Sequence, residues 1–207
     1  MSESIHLYTT PAAEEILQRA VIKLQERNIQ AVVVESGEDA RKLVRERIPA
    51  GAEVHTGKSK TLQDAGIFDM LQKADQFDFL RTRYMKMDRQ TQAREIRKLI
   101  SAPNFMLGSV NAITEDGVLV DTSATGSQVG PLAGSAGKVI LVVGSQKIVP
   151  DLETALRRIR EYVLPWEDAQ VRQRLPSGSF VGKILIIEQE WVAGRVEVIL
   201  VRKPIGI

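Results

Sequence analysis

The 207-residue sequence contains no cysteine and only two histidines, His6 and His55. The first absence excludes disulfides, thiolate nucleophiles and cysteine-held iron–sulfur clusters within this chain. Two histidines are too few for a zinc cluster, so no metal site is read. No apolar run approaches the ~20 residues that cross a bilayer, and no membrane contact is expected. The first ten residues, MSESIHLYTT, have neither a basic start nor an apolar core; they do not read as a signal peptide, and a cytoplasmic location is expected. A net charge of only +2 supplies no field for nucleic acid. The motifs of the common nucleotide sites are missing too. Ala52–Ser59 reads AEVHTGKS, with Ala52 where a phosphate-binding loop needs its first glycine, and no apolar strand precedes it. No G-x-G-x-x-G follows an early strand, so no dinucleotide and no cofactor of the chain's own is expected.

What is present is the balance of an ordinary folded protein, 43% hydrophobic and 26% charged, long enough to bury a core. No repeat, low-complexity linker or composition break divides it, so residues 1–207 read as one domain. Thr10-Pro11 opens a helix, along which Ala13, Ile16, Leu17, Ala20, Val21 and Leu24 recur at helical spacing. Ala31–Val34 is a strand. Ser36, with Asp39 three residues on, starts a second helix in the manner of a capping box, and Pro49-Ala50-Gly51 ends it. Glu53–Thr56 predicts a short strand that runs into a Gly57 turn and a helix from Ser59 or Thr61. Asp88 predicts the N-cap of a helix with Ala93, Ile96 and Ile100 as its apolar stripe. That helix lies within a basic section, Arg81–Lys98, read first as a solvated face and then as a docking surface for an acidic partner or part of an anion site. Asp151 caps a later helix with Leu152, Ala155, Leu156, Ile159 and Val163 inward and Arg157, Arg158, Arg160 and Glu161 outward. Leu164-Pro165 stops it, and Trp166–Ser179 reads as a loop with a helical turn. Ile184–Ile187 and Val196–Val201 are strands about a turn at Gly194, with Trp191 read first as a rim residue packed on the core and second as an exposed contact.

The stretch Asn104–Pro150 organises the rest. Val139–Val143 is five apolar residues, four of them β-branched, which marks a strand buried on both faces. Ala112-Ile113 and Val118–Val120 flank Glu115-Asp116-Gly117, a hairpin signal. Ser123–Ser127 offers hydroxyls and backbone with little bulk, suited either to a small anion or to a tight turn with no ligand. Strands alternating with helices predict the α/β class: a Rossmann-like three-layer sandwich, its sheet mostly parallel with helices on both faces, plus an antiparallel hairpin element. In such sheets ligands bind beyond the carboxyl ends of the strands. Thr56, Gly57, Lys58 and Ser59, then Ser109 and Asn111, then Thr125, Gly126 and Ser127, and finally Lys147 are placed there. Their hydroxyls, amide, ammonium groups and backbone N–H suit a small carboxylate or phosphate. No catalyst stands out: Glu115 and Asp116 read as turn residues first and as general bases second. Self-association is left open.

Ser109-Val110-Asn111-Ala112-Ile113, Glu115-Asp116-Gly117, Thr125-Gly126-Ser127 and Val142-Val143-Gly144-x-x-Lys147-Ile148-Val149, in that order, resemble the LUD (lactate utilisation) domain, and the resemblance runs from about Pro11 to the C-terminus. More remotely the chain resembles the ribose-phosphate isomerase and coenzyme A transferase superfamily. There a strand ending in G-A-D gives the ligand site a carboxylate; Asn111 stands at the corresponding position, which argues against sugar isomerisation. The LUD resemblance implies a component of bacterial systems that oxidise L-lactate to pyruvate beside iron–sulfur partner proteins, without redox chemistry of its own. The superfamily implies the alternative, a stand-alone isomerase- or transferase-type enzyme, or a ligand-binding regulator, acting on a small phosphorylated or thioester substrate.

Overall fold

A computed structural model describes residues 8–207; His6 and most of the N-terminal decapeptide lie outside them. Six parallel strands form the main sheet: β1 (Gln30–Val34), β2 (Glu53–Thr56), β3 (Asp78–Phe79), β4 (Phe105–Gly108), β7 (Lys138–Gly144) and β10 (Val196–Val201), in the order β1-β10-β7-β4-β2-β3. The two most apolar runs, β10 and β7, lie side by side inside the sheet, with Val198 opposite Ala31 on one side and Leu141 on the other. Val139 to Val143 are fully buried, as a strand packed on both faces requires. One face carries Ile140, Val142, Ile199 and Val201 against the helices α2 (Gly37–Arg47), α3 (Lys60–Asp64) and α4 (Ile67–Lys73). The other carries Val139, Leu141, Val143 and Leu200 against Leu17 and Leu24 of α1 (Glu14–Glu26). This is the expected Rossmann-like arrangement.

The hairpin belongs to a second sheet. Here β5 (Ala112–Thr114) and β6 (Leu119–Ser123) pair antiparallel, β8 (Ile148–Val149) joins β5 in parallel, and β9 (Lys183–Ile187) joins β6 antiparallel. Ile113 and Leu119 enter the α1-side core. On the sheet's far face Ala112, Val118 and Val120 pack on Ala155 of α7 (Leu152–Arg158) and on Ile159 just beyond it. The turn between β5 and β6 needs Gly117. Its φ is +89, and a Cβ there would lie 2.7 Å from the Lys23 backbone carbonyl carbon.

Several local expectations change. α1 starts at Glu14, after an extended Ala13 whose carbonyl accepts Leu17 N–H at 3.0 Å; Thr10-Pro11 precedes it, consistent with the extended bias of a residue before proline. Asp88 does not cap the next long helix, which is α6 (Ala93–Ser101) with Gln92 at its N-cap. Its carboxylate instead closes a turn on Gln90 N–H (2.9 Å) and Thr91 Oγ1 (2.7 Å). The basic section forms a solvated face: Arg83 pairs with Asp78, and Arg94 and Lys98 with Glu95. Arg81, of α5 (Leu80–Tyr84), lies over the Phe68 and Tyr84 rings. Trp191 is 94% exposed rather than packed.

Leu164-Pro165 does not stop the late helix. α7 widens into a π turn at Ile159–Val163 and continues as α8 (Leu164–Arg172), with Pro165 in its first turn. A π turn shifts the hydrogen-bond register, so proline's missing N–H and its ring fall where no α-type bond is needed. Trp166–Arg172, read as part of a loop, therefore build a helical wall, and the loop begins only after them.

Ser36 caps α2 as expected, accepting Asp39 N–H at 3.2 Å and donating to the Asp39 carboxylate at 2.7 Å. Ser36→Ala should cost about 1 kcal/mol, a fall in Tm of roughly 2–4 °C. Ser36→Gly should recover most of it, as read by thermal unfolding.

Candidate functional site

The C-terminal ends of β2, β4 and β7 open into a cavity of about 510 Å³. The first is followed by the Gly57–Ser59 turn and α3, whose N-cap Ser59 accepts Leu62 N–H at 3.3 Å. β4 runs into Ser109–Asn111, and β7 into a 3-10 turn, Ser145–Lys147. β6 brings Asp121 and Thr122 to the same space, and α8 closes the opposite side with Leu164, Trp166 and Val171.

Lys147 is the centre of this floor. Its ammonium is buried and donates to Thr61 Oγ1 (3.0 Å), Ser109 Oγ (3.1 Å) and the Val110 carbonyl (3.2 Å). All three acceptors are neutral, and among the described residues no carboxylate forms an ion pair with it. Burial, with the nearby Arg158 charge adding to it, pulls its pKa down to about 7, against the opposing pull of Asp121 and Asp64. Asp121 faces the same cavity. Burial pushes its carboxyl up to about 6, although Gln128 Nε2 donates to it at 2.9 Å and the Thr122 backbone and Lys147 act the other way. A cation and a carboxyl poised near neutrality thus share one pocket.

Asn111 is fixed by Thr122, whose N–H (2.7 Å) and Oγ1 (2.9 Å) both donate to its Oδ1. The acceptor end is consumed, so the group it can offer a ligand is the NH2. Its carbonyl accepts from Arg158 Nη1 at 2.6 Å. Arg158, expected on the outer face of its helix, is instead fully buried, with the Tyr8 and Tyr162 ring centroids 5.8 and 5.3 Å from the guanidinium carbon. Cation–π contact compensates part of the lost hydration. Two buried cations therefore hold consecutive carbonyls, Lys147 that of Val110 and Arg158 that of Asn111, which sets the turn after β4.

Eight of the ten sequence candidates line the cavity: Gly57, Lys58, Ser59, Ser109, Asn111, Thr125, Ser127 and Lys147. Lys58 is already engaged by Glu167 at 3.1 Å, across the cavity from α8. Thr125 and Ser127 are exposed and bonded to each other at 3.3 Å, so they form the rim. Thr56 and Gly126 lie outside the lining; Gly126 takes a φ of +87 within the turn, where its N–H is bonded to Ser123 Oγ. Glu115 and Asp116 are on the hairpin turn, paired with Arg19 (2.8 Å) and Arg27 (3.0 Å). Asp121, Gln128 and Thr61 were not singled out from the sequence. For Asp121 a signal existed: a carboxylate inside the strand run Leu119–Ser123, on the same side as Leu119.

The LUD domain family model matches residues 17–201. Among solved structures the chain is similar to a DUF162 family protein from Deinococcus radiodurans, 13% identical over 92% of this chain and 99% of that one, with a TM-score of 0.55. It also matches a malonate decarboxylase α subunit from Acinetobacter baumannii, 16% identical over 93% of this chain but 39% of that one, with a TM-score of 0.37. No curated protein matches the chain. No helix among the described residues is long and apolar enough to cross a membrane.

Proposed function

The chain belongs to the LUD domain family, and from that premise we propose that its strand-end cavity binds a 2-hydroxy carboxylate of the lactate type, as the substrate-binding component of a bacterial oxidation system. The observation that carries this reading is Lys147, a buried ammonium held by three neutral oxygens and with no ion-pair partner among the described residues. An uncompensated buried charge is costly, and an anion placed beside it recovers part of that cost. The Asn111 NH2, left free at its donor end, and the Ser109 and Thr61 hydroxyls beside Lys147 turn, in this reading, to the oxygens of the hydroxy acid. In this reading the chain carries no redox group of its own. With no cysteine to hold a cluster, electrons leave the substrate through iron–sulfur partner proteins.

Titration of the purified chain with L-lactate, pyruvate and lactamide separates charge from shape, since lactamide keeps the skeleton and removes the anion. Lactate and pyruvate should bind, with lactamide at least tenfold weaker. Equal affinity for lactamide, or no binding by either acid, would refute the reading.

A second reading rests on Asp121. A carboxyl held at about 6 inside the cavity is suited to proton transfer near neutral pH, which favours a stand-alone isomerase- or transferase-type enzyme. Turnover of a sugar phosphate or acyl thioester by the isolated chain, lost in Asp121→Asn, would move the conclusion there.

A further inference from the structure

The cavity is much larger than lactate, and a run of apolar side chains lines its α8 side. Even at the ~30 Å³ that a water molecule takes in the liquid, the six non-hydrogen atoms of lactate fill roughly a third of the 510 Å³. The buried polar groups, Thr61, Asp121 and Lys147, gather on its floor. On the α8 side the lining adds Leu164, Trp166, Val171, Leu175 and Phe180, interspersed with Glu167, Ser177 and Ser179.

Resting on the reading that Lys147 holds a carboxylate, we infer that the acid bound here carries an apolar body, a side chain of about four or more carbons or an aromatic ring, which lies along α8 and the segment that follows it. Leu175 and Phe180 are 58% and 64% exposed although they line a cavity. Apolar surface left in water beside a pocket is what an apolar ligand covers. Lactate itself, seated on Lys147, would leave this wall wet.

The wall is fixed rather than incidental. The continuation of the helix through Pro165 places Trp166 and Val171, and Asp168 ties the following loop back onto α8. Its carboxylate accepts Arg172 Nε at 2.7 Å and Ser179 N–H at 2.7 Å, and Arg172 Nη1 donates to the Pro176 carbonyl at 3.1 Å. Phe180 follows directly on that anchored loop. Lys58 and Glu167 bridge α8 to the turn after β2, so the apolar end is also held to the polar floor.

The test is calorimetric titration of the intact chain at constant pH with straight-chain (S)-2-hydroxy acids of three to eight carbons and with 3-phenyllactate. Affinity should rise about fourfold per methylene, the factor that matches burial of one CH2. Phenyllactate should bind at least fiftyfold more tightly than lactate. Leu175→Ser and Phe180→Ser, both at exposed positions, should flatten the dependence on chain length. Homologues that bind no better than lactate overturn the inference and leave the carboxylate reading standing. An unchanged slope in both variants also overturns it, because the apolar end would then not be the wall. No binding by any acid, lactate included, sinks both.

Discussion

Lys147→Met should weaken carboxylate binding by about 10²- to 10³-fold, the usual loss when one partner of a buried charge-assisted pair is truncated. Methionine keeps the length and apolar stem while removing the charge. Two pH signatures distinguish loss of an anion anchor from a general loss of structure. In the wild type, Asp121 gains its negative charge as pH rises through about 6, and Lys147 loses its positive charge through about 7. Both changes oppose an anion, so affinity should be highest below pH 6 and fall by about tenfold or more per unit above 7. Asp121→Asn should remove the lower of the two inflections and Lys147→Met the upper. The second signature is stability without ligand. The folded pKa of Lys147 lies below its unfolded value, so the unfolded chain binds more protons between about 7 and 10. Stability attributable to this group therefore rises with pH across that window, by up to on the order of 5 kcal/mol. Asp121 has the opposite sign: its folded pKa is raised, and its contribution is lost as pH rises from about 4 to 6. Urea unfolding at pH 6, 7 and 9 checks the first window. Parallel wild-type and Lys147→Met profiles across it would show that the ammonium is not held against burial.

The elements legible in the sequence were those whose signal is local. Val139–Val143 announces a doubly covered strand by composition alone, Glu115-Asp116-Gly117 a hairpin, and Ser36 and Asp151 their caps, the latter accepting Thr154 N–H at 2.7 Å. Six of the eight candidate site residues that line the cavity do so because the ends of parallel strands share a side of the sheet; Thr125 and Ser127 arrive from β6 of the second sheet. What could not be read depends on partners distant in sequence. Arg158 looks like a surface residue within its own helix; only Asn111, Tyr8 and Tyr162 make a place for it inside. Pro165 reads as a stop because the π turn that accommodates it has no sequence signature of its own. Asp121 shares the inward side of β6 with Leu119, but the cavity it faces is completed by Lys147, which follows another strand far along the chain. Trp191 misleads in the other direction, since a large aromatic is usually packed and this one stands in solvent.

Arg195→Met should be the most destabilising of the substitutions considered, by about 3–5 kcal/mol and roughly 10 °C in Tm. Arg195 and Glu190 are both buried, with Nε and Nη2 of the arginine donating to Glu190 Oε2 at 2.9 and 2.5 Å. Burial alone would push Glu190 up, but the Arg195 hydrogen bonds and the Val192 and Trp191 backbone bonds outweigh it and hold the carboxyl below its usual value. Without the guanidinium a buried carboxylate remains with no cation. The damage reaches the cavity, because Arg195 Nη2 also donates at 3.1 Å to the carbonyl of Leu132, a lining residue. Glu190 N–H and carbonyl in turn hold this turn to Arg27 and Asn28 at the end of α1. The pH dependence has a definite sign. In the wild type a depressed Glu190 pKa contributes stability above about 4.5 that is lost as pH falls. In the variant the carboxyl is raised instead, so the deficit against wild type should be large at pH 7 and shrink toward pH 4. Glu190→Leu added to Arg195→Met should restore most of the stability at pH 7, since Arg195 Nη1 has no partner in the native pair and an apolar replacement gives up little. A single variant within 1 kcal/mol of wild type, or a double variant no better than the single, would place the stability of this turn in its backbone bonds and not in the ion pair.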